Sequence, residues 1–135
     1  MELLFFGLIV TVTGLLLWWQ WAMRRRARRL VGRAAPDTRA VDRHCTARHR
    51  IYFFHAPRCG PCRAAAPVVD KLSRQYSNLI SVDVTAHPRL AYEFGIAVTP
   101  SFVVVTNDRI SELRLGAAGE SWLRARLERG AESMA

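Results

Sequence analysis

Cys59 and Cys62 stand three positions apart in the stretch Arg58-Cys59-Gly60-Pro61-Cys62-Arg63. A helical turn brings side chains at that spacing to the same end, so the two sulfurs can close a reversible disulfide. The preceding run, Arg50-Ile51-Tyr52-Phe53-Phe54, is short, apolar and aromatic, which predicts a buried strand. The following run, Cys62 to Tyr76, sets Val68, Val69, Leu72 and Tyr76 at helical spacing, with Asp70, Lys71 and Arg74 turned outward. Cys59 therefore falls where a strand ends and a helix begins. Unpaired backbone N–H groups and the positive end of the helix dipole favour a thiolate there over a thiol. The chemistry expected is redox exchange at sulfur. Arg58 and Arg63 can lower the thiol pKa further, or can be solvated surface charges.

The elements that must hold this pair follow from the pattern of the chain. Asp37 can cap a helix carrying Val41 and Cys45 on one face, where Cys45 is expected to pack as a small apolar residue. Leu79 to Val84 predicts a second strand, and Pro88 opens a helix burying Leu90, Ala91 and Phe94 until Gly95 stops it. Ser101 to Thr106 predicts a third strand, Asn107-Asp108 a turn, and Ile110 to Leu115 an antiparallel return. A last helix, Glu120 to Arg129, is expected to bury Trp122, Leu123 and Leu127 and to end at Gly130. This order predicts an α/β domain, a central mixed sheet flanked by helices on both faces.

Ahead of that domain, Leu3 to Met23 carries no charge and has Gln20 as its one strongly polar residue. As a helix, a run of that length crosses ~30 Å of hydrocarbon. Trp18, Trp19 and Trp21 cluster at its far end, and Arg24, Arg25, Arg26, Arg28 and Arg29 follow. A secretory signal would place its positive charge before the apolar run and small residues after it, so a retained anchor is expected. The layout predicted is a transmembrane anchor over 1–23, a basic juxtamembrane linker over 24–36 and a redox domain over 37–135. The basic flank predicts a single-pass protein of the plasma (inner) membrane, with the domain on the cytoplasmic side against anionic lipid. An extracytoplasmic placement is the alternative. The net charge of +9 is heavily loaded into this flank, which needs no nucleic acid to explain it. Three cysteines are too few and too unevenly placed for a secreted disulfide framework.

Four features together resemble the thioredoxin family, over roughly Val41 to Arg129. They are Cys59-Gly60-Pro61-Cys62 at the strand-to-helix junction, Pro67 five residues beyond, Thr99-Pro100 before a strand, and Gly116 after the hairpin. The resemblance implies a cis Thr99-Pro100 bond packed by the disulfide, with Thr99, Pro100 and Gly116 forming the surface that receives an extended substrate. The chain departs from the family in several places. Arg58 replaces the tryptophan before the first cysteine, His55 replaces another aromatic residue, and Phe53 replaces the buried acid. Ser81 stands where the lysine accompanying that acid is common, and the family's first strand has no counterpart before Val41. Two readings stand for His55: an imidazole that exchanges the proton the acid would have handled, or a filler of the aromatic site.

The resemblance implies a protein-disulfide reductase in which Cys59 attacks and Cys62 resolves, supported by Arg58, Gly60, Pro61, His55 and Pro100. It implies no cofactor beyond the Cys59–Cys62 disulfide and no metal. Its partners would be protein disulfides and an electron donor, either similar to thioredoxin reductase or resident in the membrane. Two rivals remain: the same chemistry outside the cytoplasm, in cytochrome maturation or disulfide repair, and a non-catalytic docking module. In that module Cys59 and Cys62 would share zinc with Cys45, His44 or His49.

Overall fold

Strand β1 (His49–His55) runs through the middle of the sheet, because its side chains are apolar on both faces. The computed structural model describes residues 1–42 and 45–132. Along β1, Ile51 and Phe53 point into one apolar layer and Tyr52 and Phe54 into the other, all four almost fully buried. A fully buried side chain of this size contributes about 1.5–3 kcal/mol, so β1 is the strand the fold can least spare. It pairs parallel with β2 (Leu79–Asp83) and antiparallel with β3 (Ser101–Thr106), which pairs antiparallel with β4 (Arg109–Leu115). The sheet order is β2-β1-β3-β4, so the mixed sheet flanked by helices is present. Asn107 and Asp108 both adopt positive φ, 50° and 58°, and form the tight turn between β3 and β4. Among the described residues no strand precedes β1. Residues 32–35 run beside β4 instead, with an Ala34–Arg109 bridge.

Helices α3 (Gly60–Ser73) and α5 (Glu120–Glu132) cover the first layer, where Val69, Leu72, Leu123 and Leu127 meet Ile51, Phe53 and Phe102. Helix α4 (Pro88–Glu93) covers the second with Leu90 and Ala91, and Phe94 packs its ring against Tyr52 and Phe54. Gly95, at φ +68°, stops α4 as expected. Gly130 does not stop α5. It lies inside the helix, buried, where a Cβ would collide with the His49 ring. The active-site helix ends at Ser73, short of Tyr76, which packs at its margin.

The helix expected from Asp37 is a single turn, α2 (Arg39–Asp42), so Cys45 lies beyond it, free and half-buried. Asp37 accepts from the Arg39 N–H at 3.1 Å, the capping role expected of it. α2 delivers Asp42 into the fold, where it accepts from the Thr38 hydroxyl at 2.6 Å, from the Tyr52 hydroxyl, and from Arg50 at 3.4 Å. Burial and the Asp42 carboxylate push the Tyr52 phenol well above its ordinary range.

Helix α1 (Glu2–Leu30) is long and apolar enough to cross a membrane. It does not give way to a linker at Met23. Arginine is a good helix former and nothing breaks the pattern before Gly32, so residues 24–30 continue the helix. Its final turns rest on the sheet. Leu30 packs on Gly95, where a Cβ would collide with it, while Met23 and Ala27 line a small cleft with Leu113 and Leu115 of β4.

Candidate active site

Cys59 is the N-cap of α3 and Cys62 lies in its first turn, joined as a disulfide with Cα atoms 5.2 Å apart. Pro61 suits the opening turn because a proline lacks the N–H that would be unpaired there anyway. The Cys62 N–H donates to Cys59 Sγ at 3.2 Å, so one of the orphan donors at the helix start already points at that sulfur. The two cysteines are not equivalent. Cys62 is only 4% exposed, whereas Cys59 is half-buried at the rim. Gly60, Pro61, Arg58 and Arg63 are all exposed around it, and no ion pair among the described residues takes up either arginine.

The sheet register gathers the other expected residues at this end. Phe54 of β1 faces Ser101 of β3, and Ser101 faces Leu115 of β4. Thr99, Pro100 and Gly116 therefore lie at the same end of the sheet as His55 and the start of α3. The Thr99–Pro100 bond is cis, with Pro100 buried and Thr99 half-buried. The Gly116 N–H donates to the Pro100 carbonyl at 2.8 Å, tying the proline loop to the end of β4. Gly116 has φ +89° with open space where a Cβ would stand, so its conformation, more than crowding, selects glycine.

In the sheet, Phe53 faces Ser81 across the β1–β2 pair, so an aromatic ring and a hydroxyl occupy two neighbouring positions. Phe53 is 3% exposed and stacks on Phe102 at 5.0 Å and on His55 at 5.3 Å. His55 in turn faces Asp83 across the same pair. The Thr85 hydroxyl and N–H, at 2.6 and 2.8 Å, hold the Asp83 carboxyl below its usual range, with a smaller contribution from His55. The local sequence of β2 gave no sign of this pairing, because only the register brings Asp83 to His55.

For a metal, the arrangement offers little. Cys59 and Cys62 are bonded to each other, and no group of three or more His, Cys, Asp or Glu side chains gathers among the described residues. His44 lies outside the described residues. His49 is committed elsewhere, its Nδ1 within 2.9 Å of Thr106 Oγ1, and burial lowers its pKa.

A paired CxxC at the head of a helix, presented by the central strand of a mixed α/β sheet, defines a thiol–disulfide redox protein. The thioredoxin family profile matches residues 41–129. Thioredoxin 1 of Nostoc sp. is 33% identical over 79 residues, covering 56% of this chain and 74% of the relative. The thioredoxin of Synechocystis sp. is 34% identical over 79 residues, with the same coverage of 56% and 74%. Among solved structures, a mutant thioredoxin from Halobacterium salinarum aligns at TM-score 0.60 and 26% identity, covering 71% of this chain and 86% of that one. Fasciola hepatica thioredoxin aligns at 0.55 and 29%, covering 62% and 82%. The chain belongs to the thioredoxin family, and it is a disulfide oxidoreductase whose substrates are protein disulfides.

Proposed function

We propose that this protein is a membrane-tethered reductase of protein disulfides, with Cys59 as nucleophile and Cys62 as the resolving thiol. The observation that carries the assignment is the unequal burial of the two sulfurs. In the reduced protein the Cys59 thiolate attacks one sulfur of a substrate disulfide and expels the other as a thiolate. Cys62 then loses its proton and attacks Cys59, reforming the Cys59–Cys62 bond and releasing the substrate as a dithiol. Two electrons leave the protein in each cycle. They are returned by a donor similar to thioredoxin reductase or by a donor in the membrane. Thr99, Pro100 and Gly116 form the surface against which the substrate backbone lies.

Phe53 cannot exchange a proton, so the proton of Cys62 needs another acceptor. We assign it to His55, the imidazole that stacks on Phe53 and faces Asp83 across the strand pair. Arg58 and Arg63 add positive potential at Cys59, the less buried of the two cysteines.

Residues 1–23 form the bilayer anchor, 24–36 the basic junction (helical as far as Leu30) and 37–135 the redox domain. The arginines after the apolar run favour a cytoplasmic domain, in contact with anionic lipid. Trapping tests the chemistry: Cys62→Ser should accumulate a mixed disulfide with substrate, and Cys59→Ser should not. Capture by Cys59→Ser alone would reverse the two roles. A phosphatase fusion after Glu132 tests the side, since activity of that fusion would place the domain outside the cytoplasm.

A further inference from the structure

The attachment of α1 to the sheet sets which way the redox end points. Going back along α1 from Leu30 to Met23, about 10 Å of helix, the contacts move along β4. Arg33, just past the helix, hydrogen-bonds with Ile110, Leu30 rests on Gly95, and Met23 and Ala27 reach Leu113 and Leu115. β4 runs from the Asn107-Asp108 turn at Arg109 to Leu115, and Leu115 is paired with Ser101 at the redox end. The N-terminal direction of α1 is therefore the direction of the redox end. Residues 1–21 are all exposed, so the apolar stretch projects past that end by ~30 Å.

The headgroup level can be placed on the same helix. Trp18, Trp19 and Trp21 sit at the end of the apolar run, and the Arg25 guanidinium lies 3.8 Å over the Trp21 ring. Indoles and arginines at this position mark the interfacial layer. Met23, which lines one cleft with Leu113 and Leu115, sits in that layer. His55 on β1 is two strands across from Leu115, about 10 Å sideways at similar height, and Cys59 begins the helix beyond it.

We infer that the redox face is turned toward the bilayer at headgroup height, and that its substrates are disulfides carried by membrane proteins close to the membrane surface. This rests on the anchor and reductase readings. The docked helix, which leaves no free linker, holds Cys59 where a disulfide close to the headgroups is within reach and one ~30 Å out in solution is not. A soluble protein still reaches the site by diffusing to the surface, without the advantage of two-dimensional confinement.

The test uses the full chain in phosphatidylcholine–phosphatidylglycerol vesicles, with dithiothreitol as the electron source. Three oxidised substrates are compared: a single-span peptide whose disulfide loop adjoins the headgroups, the same peptide with the loop raised by a rigid ~30 Å helical spacer, and a soluble disulfide peptide. The expected result is at least a tenfold faster reduction of the near loop than of the raised one. Leu30→Glu, which removes the docking contact outside the redox site, should cut that ratio to twofold or less while leaving the soluble rate unchanged. Equal rates on the near and raised loops, with the soluble peptide still reduced, would overturn the inference alone. Failure on all three substrates would overturn the reductase reading, and the inference with it.

Discussion

Two neighbouring positions of β1 treat ionisable chemistry in opposite ways. On the α4 face, Tyr52 meets a buried carboxylate, Asp42, which also receives Thr38 and Arg50. On the α3 face, Phe53 contributes only an aromatic ring, stacked on His55, which faces Asp83 across the strand pair. A buried acid with three donors is a structural clamp, because moving its proton would strand its partners. A ring stack with imidazole at its rim holds position and leaves proton exchange to a group near solvent. The acid in this fold is placed where it stabilises, away from the site where it would react.

That contrast can be tested from its strongest consequence to its weakest. Cys59→Ser should lower disulfide reduction about ten-thousandfold, ~5.5 kcal/mol of barrier, with the unfolding midpoint of the reduced protein little changed. Asp42→Ala should do the reverse. Stranding the Tyr52 and Thr38 hydroxyls, while Arg50 keeps its 2.6 Å pair with Asp108, should cost about 3 kcal/mol in denaturant unfolding of the full chain in detergent, and the trapping chemistry of the folded fraction should persist. His55→Phe retains the ring stack, so stability should hold while the rate at neutral pH falls about a hundredfold, ~2.7 kcal/mol. An unchanged rate would make His55 a filler of the aromatic site.

Tyr52→Phe should cost about 1 kcal/mol, since Asp42 keeps its other two donors. The smallest effect concerns His49, whose folded pKa is lowered by burial. Its neutral form is favoured in the native state, so stability should be full above about pH 6.5 and decline as pH falls toward the lowered value. His49→Gln should flatten that part of a stability–pH curve.

The elements that could be read in the chain are those whose cause is local. Three consecutive valines after Thr99-Pro100 and the Asn107-Asp108 turn define β3 and its hairpin within a dozen residues. The spacing of Cys59 and Cys62, and the apolar run before them, located the disulfide at the start of α3. Gly130 misled because a glycine near a helix end resembles a stop, whereas here its missing side chain admits His49 from 81 positions earlier. The Asp42 clamp was equally hidden, since Tyr52 in an apolar strand signals a need for a partner without saying which. The run of arginines looked like a junction because of its charge, although the backbone had no reason to leave the helix there.

That uninterrupted helix makes the anchor a lever. With no hinge between Glu2 and Leu30, and with Leu30 seated on Gly95, any tilt of the spanning segment is passed whole to the domain. On the anchor reading, a thinner bilayer would lean the helix further. The reach of Cys59 above the lipid would then vary with bilayer thickness, making lipid composition a determinant of which clients the sulfur can meet.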